Sequence, residues 1–226
     1  MNIRVASAAA IVACLAPVAS ADLDLEWDGM AAHENILYSF DSSASWNAAE
    51  RTRDAFAFAG LLSFNEGAIE VFCIELEVPV SQDAPATYTV GPFDAGDADL
   101  QSRLAVLASL FDGYYDQVVT TRDDATAAAF AMLTWEIMSE QFTGTNIVSE
   151  MSLDLGAAQF GEYSGAAALA AADMQSFLAD NPSADASGLL RYSNDSFQDF
   201  VGVPAPGALA LLGVAGGMFG TRRRRG

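Results

Sequence analysis

The acidic residues of this chain all fall in one central region, and this limits where a folded domain can lie. All 30 Asp and Glu residues occur between Asp22 and Asp199, whereas residues 5–20 and 207–220 carry no charge. We therefore expect residues 22–202 to form one domain of roughly 180 residues, which is long enough to bury its own core.

The charge of this central region restricts the partners that it can bind. The chain has no lysine and a formal net charge of −20. The arginines of the region are Arg51, Arg53, Arg103, Arg122 and Arg191. Such an excess of negative charge argues against binding to nucleic acid or to an anionic membrane surface. It is compatible with high solubility, with weak binding of cations or with a saline habitat.

The N-terminus has the pattern of a secretory signal peptide. Arg4 precedes an apolar run over residues 5–18, which ends in small residues at Ala19 and Ala21. A positive start, a short apolar core and an A-x-A site predict cleavage after Ala21, so that the mature chain begins at Asp22. The run is too short to cross a bilayer permanently.

The C-terminus combines a proline motif, an uncharged run and a cluster of arginines. Val203, Pro204, Ala205 and Pro206 lead into residues 207–220, and Arg222, Arg223, Arg224 and Arg225 follow. An apolar run backed by arginines is expected to stop in a membrane with the arginines on the cytoplasmic side. Because the run is shorter than the roughly 20 residues of a stable span, we expect it to hold the chain in the inner membrane only before processing.

Period-two patterns at the two ends of the domain predict strands. They cover residues 35–40, 55–64, 68–78, 88–90, 189–192 and 197–201, with a turn at 65–67. In the clearest of them, 68–78, one face is apolar and the other combines apolar and acidic residues, as in a half-buried strand.

Helical spacing occupies the middle of the domain. We predict a helix capped by Asp97 or Asp99, a second from about 125 to 141 capped by Asp123 or Asp124, and a third from about 162 to 178. Apolar residues surround the second helix, which predicts that it is largely buried. Strands, then helices, then strands indicate an α+β fold: an antiparallel sheet or sandwich with about three helices, plus targeting helices at the termini.

Few residues could support catalysis. His33 is the single histidine, and we expect it to be an exposed surface residue. Glu75 and Glu136 could form a carboxylate pair of the kind found in glycoside hydrolases, although most acids of such a chain are solvated. Asp94, Asp97 and Asp99 could meet a calcium ion, but capping explains them equally well. We therefore expect no catalytic residue, no metal site and no cofactor.

Cys73 is the remaining candidate for chemistry. Cys14 leaves with the signal peptide, so the mature chain cannot form an internal disulfide. An isolated cysteine in an exported protein is either buried and inert or available as a reactive thiol.

The segments 72–75 (Phe-Cys-Ile-Glu) and 128–137 resemble the bacterial thioester domains of surface adhesins. In that family a cysteine on a strand meets a glutamine on a helix about four residues before a tryptophan, and the two form an internal thioester that acylates nucleophiles. Cys73 and Trp135 match this pattern. The glutamine position holds Ala131, and Gln141 lies too far along to replace it. The resemblance thus implies the fold rather than the reaction, and we expect Cys73 and Trp135 to belong to the core.

The tail resembles the PEP-CTERM sorting signal, in which a Pro-x-Pro motif precedes a short span and an arginine cluster. Pro204 and Pro206 fill the motif, with Ala205 between them. The resemblance implies processing by an exosortase in a bacterium with two membranes, release or attachment outside the cell, and association with extracellular polysaccharide.

These patterns predict a non-enzymatic exported protein of the cell surface or extracellular matrix, handled by signal peptidase and an exosortase. Two alternatives stay open: a covalent adhesin with a thioester at Cys73, and a carboxylate-dependent glycoside hydrolase.

Overall fold

The computed structural model describes residues 20–41, 53–94, 96–144 and 146–204. Its strands are β1 (Ala21–Leu25), β2 (Trp27–Phe40), β3 (Arg53–Phe64), β4 (Ile69–Cys73), β5 (Ala86–Pro92), β6 (Ala158–Gly161), β7 (Leu190–Ser193) and β8 (Phe200–Gly202). Its helices are α1 (Ala98–Thr121), α2 (Asp124–Ser139), the single turn α3 (Ile147–Glu150) and α4 (Gly165–Asp180), with a 3-10 turn at Ala186–Gly188. The predicted α+β class is confirmed.

All eight strands join one antiparallel sheet in the order β1-β5-β7-β8-β4-β3-β2-β6. Only Glu26 separates β1 from β2 in the chain, yet five strands lie between them in the sheet, so the sheet must curl back on itself. Asn65 in the turn between β3 and β4 closes this corner. Its side chain accepts a hydrogen bond from the Glu26 backbone N–H at 2.8 Å and donates one to the carbonyl of Asp24 at 3.0 Å.

Helix α2 forms the centre of the core, as its sequence predicted. Every residue from Ala127 to Ser139 is buried, and the helix packs against β2 and β3. Asp123 caps it by accepting a hydrogen bond from the backbone N–H of Thr126 at 2.8 Å. The prediction of a largely buried second helix is confirmed.

The predicted strand over 68–78 is wrong in length and in exposure. β4 ends at Cys73, because the residues after it bond to the segment before β8 and do not extend the strand. The Ile74 N–H, for example, donates to the carbonyl of Asp199 at 3.1 Å. The last three residues of β4, 71–73, are also buried on both faces, whereas Ile69 and Glu70 are half-buried. One face carries Phe72, whose ring stacks on Phe130 of α2 at 4.3 Å.

Other boundaries shift for local reasons. The third predicted helix begins at Gly165, because Glu162 adopts a left-handed φ of 56° and Ser164 caps the helix by accepting from Ala167. The predicted strand 197–201 is reduced to β8, since the residues before Phe200 bond to the chain after Cys73. Sequence patterns did not indicate β1, β6 or α3.

Candidate functional site

A buried cysteine–glutamine pair is the candidate functional site. Cys73 ends β4, and its Sγ–H donates to Oε1 of Gln198 at 2.8 Å. The two residues are 5% exposed each. They meet because β4 pairs with β8 in a register that sets Cys73 opposite Phe200, two residues beyond Gln198.

Gln198 is held by hydrogen bonds from its side chain and from its backbone. Its Nε2 donates to the backbone carbonyl of Glu75, and its own backbone N–H donates to the carbonyl of Pro79 at 3.1 Å. The chain after β4 therefore orients the amide so that its carbonyl oxygen faces the sulfur.

Charged residues lie next to the Cys73–Gln198 pair. The Glu75 carboxylate accepts from the backbone N–H of Asp199 at 2.9 Å, and the Arg191 guanidinium donates to Asp199 at 2.8 Å. Burial raises the pKa of Glu75; the hydrogen bond from the Asp199 backbone and the charge of Arg191 oppose this rise, whereas the Asp199 carboxylate adds to it.

Burial holds the Cys73 thiol in its protonated form. It raises the pKa of Cys73 well above its usual value, and the nearby Glu75 carboxylate adds to the rise. A thiol of this kind donates a hydrogen bond at neutral pH, which agrees with its contact to Gln198. Reaction at the sulfur therefore requires that its proton be passed on during the attack.

The sulfur also lies close to the carbon that it could attack. The carbonyl carbon Cδ is one C=O bond, about 1.2 Å, beyond Oε1, so sulfur and carbon are within about 4.0 Å of each other. Reacting atoms in productive complexes lie about 3–3.5 Å apart. The upper limit of about 4.0 Å lies close to this range, so the arrangement can support acyl transfer from Gln198 to Cys73.

No family model, curated protein or solved structure matches this chain.

The residues singled out with Cys73 in the sequence occupy other places. Ala131 is buried within α2, and Trp135 packs on Phe160 of β6 with ring centroids 6.0 Å apart. Gln141 follows the end of α2 and is exposed. The expectations that Cys73 and Trp135 are core residues are confirmed.

Gln198 is the candidate site residue that the sequence did not reveal. It lies in the predicted closing strand 197–201 and 125 positions from Cys73. Only the pairing of β4 with β8 brings the two together, and no local spacing encodes that register. A polar side chain at a buried position next to a closing strand is the one weak signal that could have indicated it.

The two carboxylates proposed as a hydrolase pair lie in different surroundings. Glu75 bonds to Asp199. Glu136 accepts from the Ser152 backbone N–H at 2.8 Å, and burial raises its pKa to about 8, with Glu140 as the nearby charge that adds to the rise. The two carboxylates accept hydrogen bonds from different segments, and the hydrolase alternative stays a prediction.

The remaining candidates have structural contacts. Asp97 caps α1, and Asp99 pairs with Arg103 at 2.8 Å. Within the described residues, no cluster of three or more His, Cys, Asp or Glu side chains is arranged to hold a metal ion. His33 is partly buried rather than exposed, with its ring 5.2 Å from that of Phe58.

The predicted targeting residues lie at the limits of the described chain. Ala21 and Asp22 begin β1, and Val203 and Pro204 follow β8 directly. Ala19, Pro206, the run 207–220 and the arginines at 222–225 lie outside the described residues, as do the segments for which targeting helices were predicted. Within the part that is described, no helix has both the length and the apolarity to cross a bilayer.

Proposed function

We propose that this chain is a non-enzymatic exported protein of the cell surface or extracellular matrix, and that its domain forms an internal thioester between Cys73 and Gln198. Such a domain is a covalent adhesin, because the bond acylates a nucleophile on a partner once and is not renewed. The observation that supports the proposal is the 2.8 Å contact between the Cys73 sulfur and the Gln198 carbonyl oxygen.

The proposed formation of the thioester needs no reagent other than the two side chains. The Cys73 sulfur attacks Cδ of Gln198, the S–Cδ bond forms and the Cδ–Nε2 bond breaks. The thiol proton passes to the leaving nitrogen, which departs as ammonia. An amine or hydroxyl on the partner later attacks the same carbon, releases the thiol and leaves the partner joined to the side chain of residue 198.

The fold favours this reaction over unwanted ones. The strands β4 and β8 hold both groups in place, so that the attack needs no further loss of translational freedom. Burial keeps water away from the bond, which slows hydrolysis. The absence of lysine from the whole chain removes the ε-amines that could attack the thioester from within the same molecule or from another copy.

Export is supported by the sequence of both ends. The signal-peptide pattern ends at Ala21, within the first residues of β1, and the proline motif begins at Pro204, two residues after β8. Signal peptidase, an exosortase and, transiently, the inner membrane are the partners that we propose for these ends. Extracellular polysaccharide is the partner proposed for the domain.

Intact-mass spectrometry of the secreted protein tests the thioester. We expect the wild-type mass to be lower than the sequence mass by one ammonia, with no thiol available to alkylation under denaturing conditions until methylamine is added. Cys73→Ala and Gln198→Ala should restore the full mass. Gln141→Ala, which changes a glutamine away from the site, should keep the deficit.

A wild-type protein of full mass with an alkylatable Cys73 would contradict the thioester. The export proposal is tested separately by determining the termini of the protein recovered from the medium and the cell surface. We expect Asp22 at the N-terminus and a C-terminus near Pro204. Cytosolic protein that retains Met1 and Gly226 would contradict export.

A further inference from the structure

The hydroxyl of Tyr88 is a buried polar group with no structural use. Tyr88 is 1% exposed, and among the described residues its Oη has no hydrogen-bond partner. Buried polar groups are nearly always paired, so an exception of this kind calls for an explanation. A donor that is idle in the resting structure is available to a group that becomes negative during a reaction.

The fold places Tyr88 beside the Cys73–Gln198 pair. Its ring lies against that of Phe200, with centroids 5.2 Å apart. Phe200 is the residue that pairs with Cys73 between β4 and β8. The tyrosine therefore packs against the residue that pairs with Cys73 and lies two positions after Gln198.

The electrostatic surroundings point to the same location. Burial is the largest cause that raises the pKa of Tyr88 well above its usual value, and the neighbouring Cys73, Asp199 and Glu75 add to the rise. The phenol thus stays neutral and keeps its proton at physiological pH. A neutral phenol that is shielded from water is a strong hydrogen-bond donor to an oxyanion.

We propose that the Tyr88 hydroxyl donates a hydrogen bond to the oxyanion at Oε1 of Gln198, both when Cys73 attacks and when the thioester opens. The inference rests on the proposed thioester. Attack at Cδ moves an electron pair onto this oxygen, which then gains the charge that the buried site must stabilise. Collapse of the intermediate returns the electron pair, so Tyr88 ends each step with its own proton.

Tyr88→Phe separates this role from a structural one. Because the hydroxyl has no partner, its removal breaks no hydrogen bond and takes away an unsatisfied buried group, so we expect the unfolding midpoint not to fall. Tyr192→Phe on the adjacent strand β7 is the matched control, since Tyr192 is also a buried tyrosine but the rise in its pKa comes from burial alone.

The measurement follows both directions of the reaction by intact mass. Opening by methylamine is timed first. Opening by ammonia regenerates Gln198, and after removal of ammonia the return of the mass deficit gives the rate of formation. We expect Tyr88→Phe to slow both rates by about 100-fold, in the range found for loss of one oxyanion donor, and Tyr192→Phe to leave them unchanged.

Each outcome is decisive. Equal rates in wild type and Tyr88→Phe would overturn the role of Tyr88 and leave the thioester intact. Equal slowing by both substitutions would also overturn it, because any buried phenol would then have the same effect. A wild-type protein without the mass deficit would overturn the proposed function and this inference together.

Discussion

At the scale of single residues, the buried carboxyl of Glu136 makes stability depend on pH. Its folded-state pKa of about 8 lies above the usual value of 4.5, so the folded protein binds this proton more tightly than the unfolded chain does. The stabilisation is complete below about pH 4.5 and is lost as the pH rises through 8. The free energy of unfolding should therefore fall over this window.

Glu136→Gln tests this prediction. It keeps the shape of the protonated carboxyl without its titration, so the free energy of unfolding should fall less steeply with pH, by up to about 4 kcal/mol across the window. Urea denaturation at a series of pH values measures this. Because burial also raises the pKa of Glu75, the free energy of unfolding of the variant should still depend on pH to some extent. Identical pH profiles for the two proteins would contradict the prediction.

Gly156 is a second residue whose identity the structure requires. Its φ is 104°, and a Cβ at this position would lie 1.9 Å from Oε2 of Glu140. That carboxylate accepts the N–H of Ala157 at 2.5 Å, so a displaced Glu140 would leave the entry to β6 unsupported. We expect Gly156→Ala to lower the free energy of unfolding by at least about 2 kcal/mol.

Gly188→Ala is the control for this change. No atom lies within 4 Å of a Cβ at that position. The control should therefore leave the urea midpoint nearly unchanged. Equal effects of the two substitutions would show that the contact with Glu140 is unimportant.

At the scale of elements, the start of α2 depends on its cap. Asp123 accepts from both the N–H and the hydroxyl of Thr126, at 2.8 and 2.6 Å, and these bonds lower the pKa of Asp123. Asp123→Ala should reduce the free energy of unfolding by about 1 kcal/mol. Asp112→Ala, on the exposed face of α1, should not reduce it, since alanine is the better helix former. A thermal or urea unfolding curve that ranks the two in the opposite order would contradict the role of the cap.

The sequence predicted helices better than strands, for a physical reason. The cap and the apolar circumference of α2 are local, and both appear in the structure. The end of β4 at Cys73 depends on bonds from Asp199 and Gln198, which lie more than 120 positions away. The same distance hid the site: Cys73 could be singled out by its neighbours in sequence, whereas its partner could be found only from the pairing of β4 with β8.

At the scale of the whole molecule, negative charge opposes folding. The chain carries 30 acids and a formal net charge of −20. Self-repulsion of this kind weakens the compact state, and salt screens it over about 10 Å at 0.1 M and 3 Å at 1 M. The unfolding midpoint of the mature protein should therefore rise by several degrees between about 0.01 and 1 M NaCl. A midpoint that falls with added NaCl would show that ion pairs such as that of Arg122 with Glu70 outweigh the repulsion.

The position of β8 has a mechanical consequence. Gln198 precedes this strand by two residues, and Pro204 follows it by two. If a partner is joined at residue 198 while the processed C-terminus near Pro204 is attached to the cell surface, tension runs only through residues 198–204. It pulls along a strand held between β4 and β7, so both neighbours resist by shear. The rest of the domain lies outside the line of force and can stay folded while the attachment is under load.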